Sequence, residues 1–377
     1  MLATIKKVKH FKDKTFLALF ISFCVSFIFY KIYSNSFSLM RLTFFLTLTP
    51  FLISNIFKKR KIQSSFILLL LLILVLFRVV FSSAETTSLL FVFGFFCLPI
   101  LIQFSSINKF HQQPLNYLFR HIYFIQLFLS FFYLLTMDPE AWRFIGYTAS
   151  STTYTVYLVS FFTSFIFSNN PKYSFIHFLV VFYFIFLSST RSTIIILTAV
   201  YLIYFFRDFI LKKLKFFSVV ILGTMLLVMP ITSLFSDNLD LMNRYEGDKD
   251  YSTFTRIIYF TNQLKALEGL SIKDYLVGKG VEENKKVGYN ISEFNFIEQH
   301  NDFFVLIFDY GIIIFIIYLF MLFKQVNSPF SLALLMIYLT SFYHNMLYDF
   351  WVITLFFISS KYYYKPRFNV INKKKVN

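Results

Sequence analysis

The sequence predicts an all-α polytopic membrane protein, and three observations carry that expectation. Of 377 residues 57% are hydrophobic and only 15% charged, a balance foreign to water-soluble domains. The apolar residues gather in runs of membrane-helix length. Most Lys and Arg lie in the short connections between runs and at the two chain ends, where they set topology.

Taken in order, the runs give about twelve transmembrane helices. They fall near 15–33, 38–57, 64–82, 86–104, 118–137, 149–168, 172–189, 193–207, 216–235, 303–323, 329–343 and 347–360. Lys6, Lys7, Lys9, Lys12 and Lys14 precede the first run and no small-residue cleavage site follows it, so it reads as a retained anchor. With an inside N-terminus, alternation puts Lys58, Lys59, Arg60 and Lys61 inside. Lys109 with Arg120, Lys172, Arg207 with Lys212, Lys213 and Lys215, Lys324 and the tail from Lys361 follow on the same side. The short outer loops keep little more than Lys31, Arg143 and Arg191, so both termini are expected in the cytoplasm.

Three regions result. Residues 1–235 hold helices 1–9, residues 236–302 form one large extracytoplasmic loop, and residues 303–377 hold helices 10–12 and a basic tail. The net charge of +17 sits in connections and tails, which argues for topology and against nucleic acid. Cys24 and Cys97 lie inside apolar runs, with neither a disulfide framework nor metal-ligand spacing. The 57 Phe residues read as lipid-facing filler in a biased composition.

Polar outliers mark the outer side. Arg191 stands in Ser188-Ser189-Thr190-Arg191-Ser192-Thr193, a tiny turn between two apolar helices, where a planar guanidinium suits a diphosphate. Arg78 either pairs with Glu85 or lines a cavity, while Arg41 and Arg143 read as helix-end residues. Arg244 and Arg256 lie in the large loop. There Ile257, Phe260, Leu264 and Leu267 recur at helical spacing between Ser252 or Thr253 as cap and Gly269 as stop. This predicts an amphipathic helix with Arg256 in its first turn. Gly278-Lys279-Gly280 predicts a tight turn, and Asp248-Lys249-Asp250 a solvated one in preference to a metal site. His300, with Asn301 and Asp302, stands at the lip of the next apolar run, where an imidazole accepts a hydroxyl proton or binds a phosphate oxygen. His344 and Tyr348 lie in the last outer turn.

The order of these features resembles the O-antigen polymerase and ligase superfamily, whose polymerases are called Wzy-type. Three short signatures carry the likeness over roughly residues 150–325. They are Ser189-Thr190-Arg191-Ser192, the stretch from Arg256 to Gly278 and Gly280, and His300-Asn301-Asp302 leading to Tyr310-Gly311-Ile312. The chain departs from the pattern in carrying Tyr259 or Phe260 where a Trp is usual, and Ser192 where a Gly or Ala is common.

The resemblance implies a GT-C-like bundle in a bacterial inner (plasma) membrane. Its implied activity is a metal-independent, inverting glycosyl transfer between two undecaprenyl-diphosphate-linked oligosaccharides at the outer face, with no cofactor. His300, Arg191 and Arg256 would be catalytic, the arginines on the diphosphate and His300 on the acceptor hydroxyl or the diphosphate. Arg78, Asn301, Arg244, His344 and Tyr348 would contact substrate. Membrane lipid, a chain-length regulator and a flippase are the implied partners. A ligase of the same superfamily is the alternative enzyme. A lipid-linked oligosaccharide flippase is the alternative of another class, disfavoured because the intramembrane cations cluster at outer helix ends.

Overall fold

The computed structural model describes residues 73–75, 99, 112–136, 144, 146, 151–234, 251–281, 283–289, 301–341 and 350–361. Among the described residues every regular element is a helix. In chain order they are α1 (Gln112–Thr136), α2 (Ser151–Asn169), α3 (Ser174–Leu187), α4 (Arg191–Phe205), α5 (Arg207–Lys212) and α6 (Leu214–Leu234). Then come α7 (Tyr251–Glu268), α8 (Ile272–Val277), α9 (Glu283–Tyr289), α10 (Asp302–Gln325), α11 (Pro329–Ser341) and α12 (Phe350–Ser359).

The expected runs from 118 onward correspond to α1, α2, α3, α4, α6, α10, α11 and α12. Those near 15–33 and 38–57, and nearly all of those near 64–82 and 86–104, lie outside the described residues. Among the described residues two segments, Leu115–Thr136 and Asp302–Gln325, are long and apolar enough to cross a membrane. Three details differ from the sequence expectation. α1 (Gln112–Thr136) reaches further back than the run from 118, and Arg120, which that run already contained, is exposed and can snorkel. α4 starts at Arg191 and not at 193. The basic connection after α4 folds as the unexpected short helix α5.

α2 is the hub, with α1, α3, α4, α11 and α12 packed around it. Its residues from Tyr154 to Phe167 are all buried. Such burial tolerates Ser and Thr only because each hydroxyl is satisfied within the helix. Ser160 donates to the Val156 carbonyl at 2.7 Å, Thr163 to Val159 at 2.6 Å and Ser164 to Ser160 at 2.9 Å. Small hydroxyl residues also let neighbouring backbones approach closely.

Hydrogen bonds pair the helix ends as up-and-down threading requires. Asn169 Nδ2 donates to the Asn116 carbonyl at 3.1 Å, joining the end of α2 to the start of α1. Arg207 donates to Asn170 Oδ1 at 3.1 Å and lies over the Tyr204 ring at 4.8 Å. Lys215 Nζ reaches the carbonyls of Phe323 and Val326 at 3.3 and 3.2 Å, and Asn327 Nδ2 meets the Ser360 carbonyl. These contacts gather Lys172, Arg207, Lys212, Lys213, Lys215 and Lys324 at one basic end. At the opposite end the Phe144 amide donates to the Leu187 carbonyl at 3.3 Å, beside the turn that leads to Arg191. The flanks of α1, α3 and α4 expose Phe128, Leu135, Phe186, Ile195 and Phe205, more apolar surface than water-facing helices carry.

Candidate functional site at the loop end

The turn between α3 and α4 is three residues long. Ser188 closes α3, its hydroxyl donating to the Phe184 carbonyl at 2.9 Å. Ser189 reverses the chain at a left-handed φ of 54°, which costs a non-glycine residue about 1–2 kcal/mol. Thr190 occupies the N-cap of α4 but makes no side-chain cap; its Oγ1 is buried with no hydrogen-bond partner. Thr193 is buried, 3.1 Å from Thr155 Oγ1. The hydroxyl crowd expected around Arg191 is thus partly turned into the protein.

Arg191 itself is exposed at the first position of α4. A cation there stands against the positive end of the helix dipole, an unfavourable place unless an anion sits between them. Exposed guanidinium and a helix start lacking a side-chain cap together form an anion-receptive corner.

The large loop folds into α7, α8 and α9. Phe260 is buried and Leu264 and Leu267 pack on the core, as the apolar stripe predicts. Ser252 and Thr253 lie within α7 and not before it. Arg256 consequently belongs to the second turn and not the first. Gln263 lies on the apolar stripe between Phe260 and Leu264, is 1% exposed, and was missed by the sequence reading. A polar side chain inside an otherwise apolar stripe was the available signal.

Gln263 holds the start of α10. Its Oε1 accepts from Asn301 Nδ2 at 2.9 Å, while Asn301 Oδ1 accepts from the Phe303 and Phe304 amides at 3.1 and 3.3 Å. Asn301, expected to touch substrate, is fully buried and serves as the N-cap of α10. Asn301→Ala should destabilise the protein by about 1–2 kcal/mol through the lost cap. Its effect should couple to Gln263→Ala by about 1 kcal/mol, read from unfolding of the single and double variants in detergent.

Two turns further on, α10 breaks. Gly311 has φ 86° and ψ 160°, non-helical values inside the helix. The carbonyls of Phe308 and Asp309 instead accept from the Lys279 and Gly280 amides at 2.8 and 3.3 Å. Gly278, at φ 81°, meets Gly311 backbone to backbone. A Cβ on Gly278 would lie 2.7 Å from the Gly311 nitrogen, and one on Gly311 would lie 2.6 Å from the Gly278 nitrogen. Asp309, 2% exposed, completes the latch by accepting from the Asn284 amide at 2.8 Å and from Asn284 Nδ2. A carboxylate at the start of α9 suits that helix dipole. Asp309 was also missed, though an acid within an apolar run is itself a signal.

Arg191 therefore rests on a helix packed chiefly by α2, α3 and α11, while the loop helices pack on α6 and α10. Both groups lie at the same end of the bundle. The side chain of Arg256 and residues Arg78, Arg244, His300, His344 and Tyr348 lie outside what the structure describes. Among the described residues no cluster of three or more metal-ligating side chains is found, and a metal-free reaction rests on the resemblance alone. No family model, no characterised relative and no solved structure matches the chain.

Proposed function

We propose that this chain is a membrane-embedded polysaccharide repeat-unit polymerase. It would transfer glycan from undecaprenyl diphosphate to a sugar hydroxyl of a second lipid-linked unit, with the loop end at the outer face of the inner membrane. The observation that carries the reading is the corner at Arg191: an exposed guanidinium on a helix start without a side-chain cap, beside a left-handed serine. Strain held in a three-residue turn is a feature of sites whose geometry matters. The order of the three sequence signatures supports the same reading, as does the anchoring of the loop to α10.

In this mechanism the diphosphate leaves as the acceptor oxygen attacks the anomeric carbon from the opposite face, inverting it. Arg191 and Arg256 stabilise the charge that grows on the leaving phosphate oxygen, and Asn301 fixes the start of α10 beside His300. His300 takes the acceptor proton or orients the acceptor. Arg78, Arg244, His344 and Tyr348 would add contacts to substrate.

The test is glycan synthesis by purified protein in liposomes, supplied with undecaprenyl-diphosphate repeat units in the presence of EDTA. A ladder of lengthening glycan that His300→Ala abolishes is the expected result. A single transfer to a different acceptor would make the chain a ligase. Movement of units across the bilayer without lengthening would make it a flippase.

A further inference from the structure

We propose that α8 and the turn after it form a re-entrant wedge, which enters the outer leaflet beside α10 and presents its apolar side chains to lipid acyl chains. The inference rests on α10 crossing the membrane and is independent of the polymerase reading.

The depth follows from the latch. Gly311 lies nine residues after Asp302, so the break sits about 13 Å below the start of α10 at about 1.5 Å per residue. The 24 residues of α10 measure about 36 Å against a hydrocarbon layer of about 30 Å. Even if all the excess projects at the loop end, Gly311 lies about 7 Å inside the hydrocarbon. Gly278 is held against Gly311, and Lys279 and Gly280 donate to the carbonyls that the break releases. The turn must therefore be at that depth too.

This arrangement meets the rule for broken backbone at membrane depth. Peptide groups freed from a helix are tolerated there only when protein or water satisfies them. Here the loop supplies the Lys279 and Gly280 amides to the Phe308 and Asp309 carbonyls.

The exposed surface of the wedge fits the same environment. Ile272, Tyr275, Leu276 and Val277 are all exposed, four of the six residues of α8. In water that pattern on a single short helix would be an unfavourable patch; beside α10 at this level, acyl chains are what cover it. Lys273 stands nearer the start of α8, and Lys279 Nζ turns back over the Phe308 ring at 5.2 Å, both long enough to reach headgroup phosphates.

Single cysteines test this in liposomes, with Cys24 and Cys97 replaced by serine. Leu276→Cys probes the wedge, Glu268→Cys at the end of α7 is the aqueous reference, and Ile316→Cys, exposed on α10 beyond the break, is the lipid reference. A membrane-impermeant maleimide should react at 276 about tenfold or more slowly than at 268, because the hydrocarbon holds no water. A fluorophore at 276 should be quenched by acyl-chain spin-labelled lipid as it is at 316. Reaction at 276 as fast as at 268, or quenching only by headgroup-labelled lipid, overturns the wedge. Fast reaction at 316 would overturn the membrane-spanning reading of α10 and the wedge with it. Glycan synthesis plays no part in the readout.

Discussion

Alanine at Gly311 is expected to destabilise the protein by about 3–6 kcal/mol. The left-handed φ contributes about 1–2 kcal/mol, intrusion on the Gly278 backbone about 1–3, and loosening of the Lys279 and Gly280 hydrogen bonds about 1. Gly278→Ala should cost a similar amount, because its own Cβ would meet the Asp309 carbonyl and the Gly311 nitrogen. The two changes act on one contact, so the double variant should fall short of the sum. Gly223→Ala is the control: nothing lies within 4 Å of the added carbon in α6, and a gain of about 0.5–1 kcal/mol is expected. Unfolding in detergent measures the energies, and trypsin cleavage at Lys279 and Lys286 reports release of the segment. Wild-type stability and protease resistance in Gly311→Ala would refute the latch.

Arg191→Ala should slow glycan lengthening by about 10²–10³-fold, the usual loss for one group that stabilises developing charge. Stability should move the other way, rising by about 0.3–1 kcal/mol, because a cation leaves the positive end of the α4 dipole. Opposite signs in the two measurements distinguish an anion site from a packing residue, whose loss would lower both. Arg191→Lys restores charge without the planar pair of donors and should recover only part of the rate. If lengthening persists at the wild-type rate in Arg191→Ala, Arg191 has no part in the reaction.

The helices of the second half were legible because long apolar runs are a strong, redundant signal, and α1 to α4, α6 and α10 to α12 stand close to where the runs place them. The Arg191 turn was legible for the same reason: a cation between two apolar runs has few structural explanations. Helix starts were less so. Ser252 and Thr253 read as caps in the sequence but lie within α7, while the cap of α10 is Asn301, which the resemblance assigns to substrate. Gln263, Asn284 and Asp309 were missed for a common reason. Each gains its role from a partner 25 to 38 residues away, and no local pattern encodes that pairing. The sequence marks Gly278 as part of a tight turn and Gly311 only as a glycine early in an apolar run. That each leaves room for the other is a property of the folded chain alone.

The central position of α2 has a consequence for how this protein can change. A helix at the edge of a bundle can absorb an inserted residue by rotating the misplaced side chains toward its surroundings. One residue turns the remainder of a helix by about 100°. α2 has five packed neighbours and no open side to rotate toward, so a single insertion between Tyr154 and Phe167 would mismatch all of them together. Substitutions among small residues remain open to it, but changes of length do not. The axis of the bundle is therefore the part of the chain whose spacing should stay constant, while the connections around it lengthen and shorten.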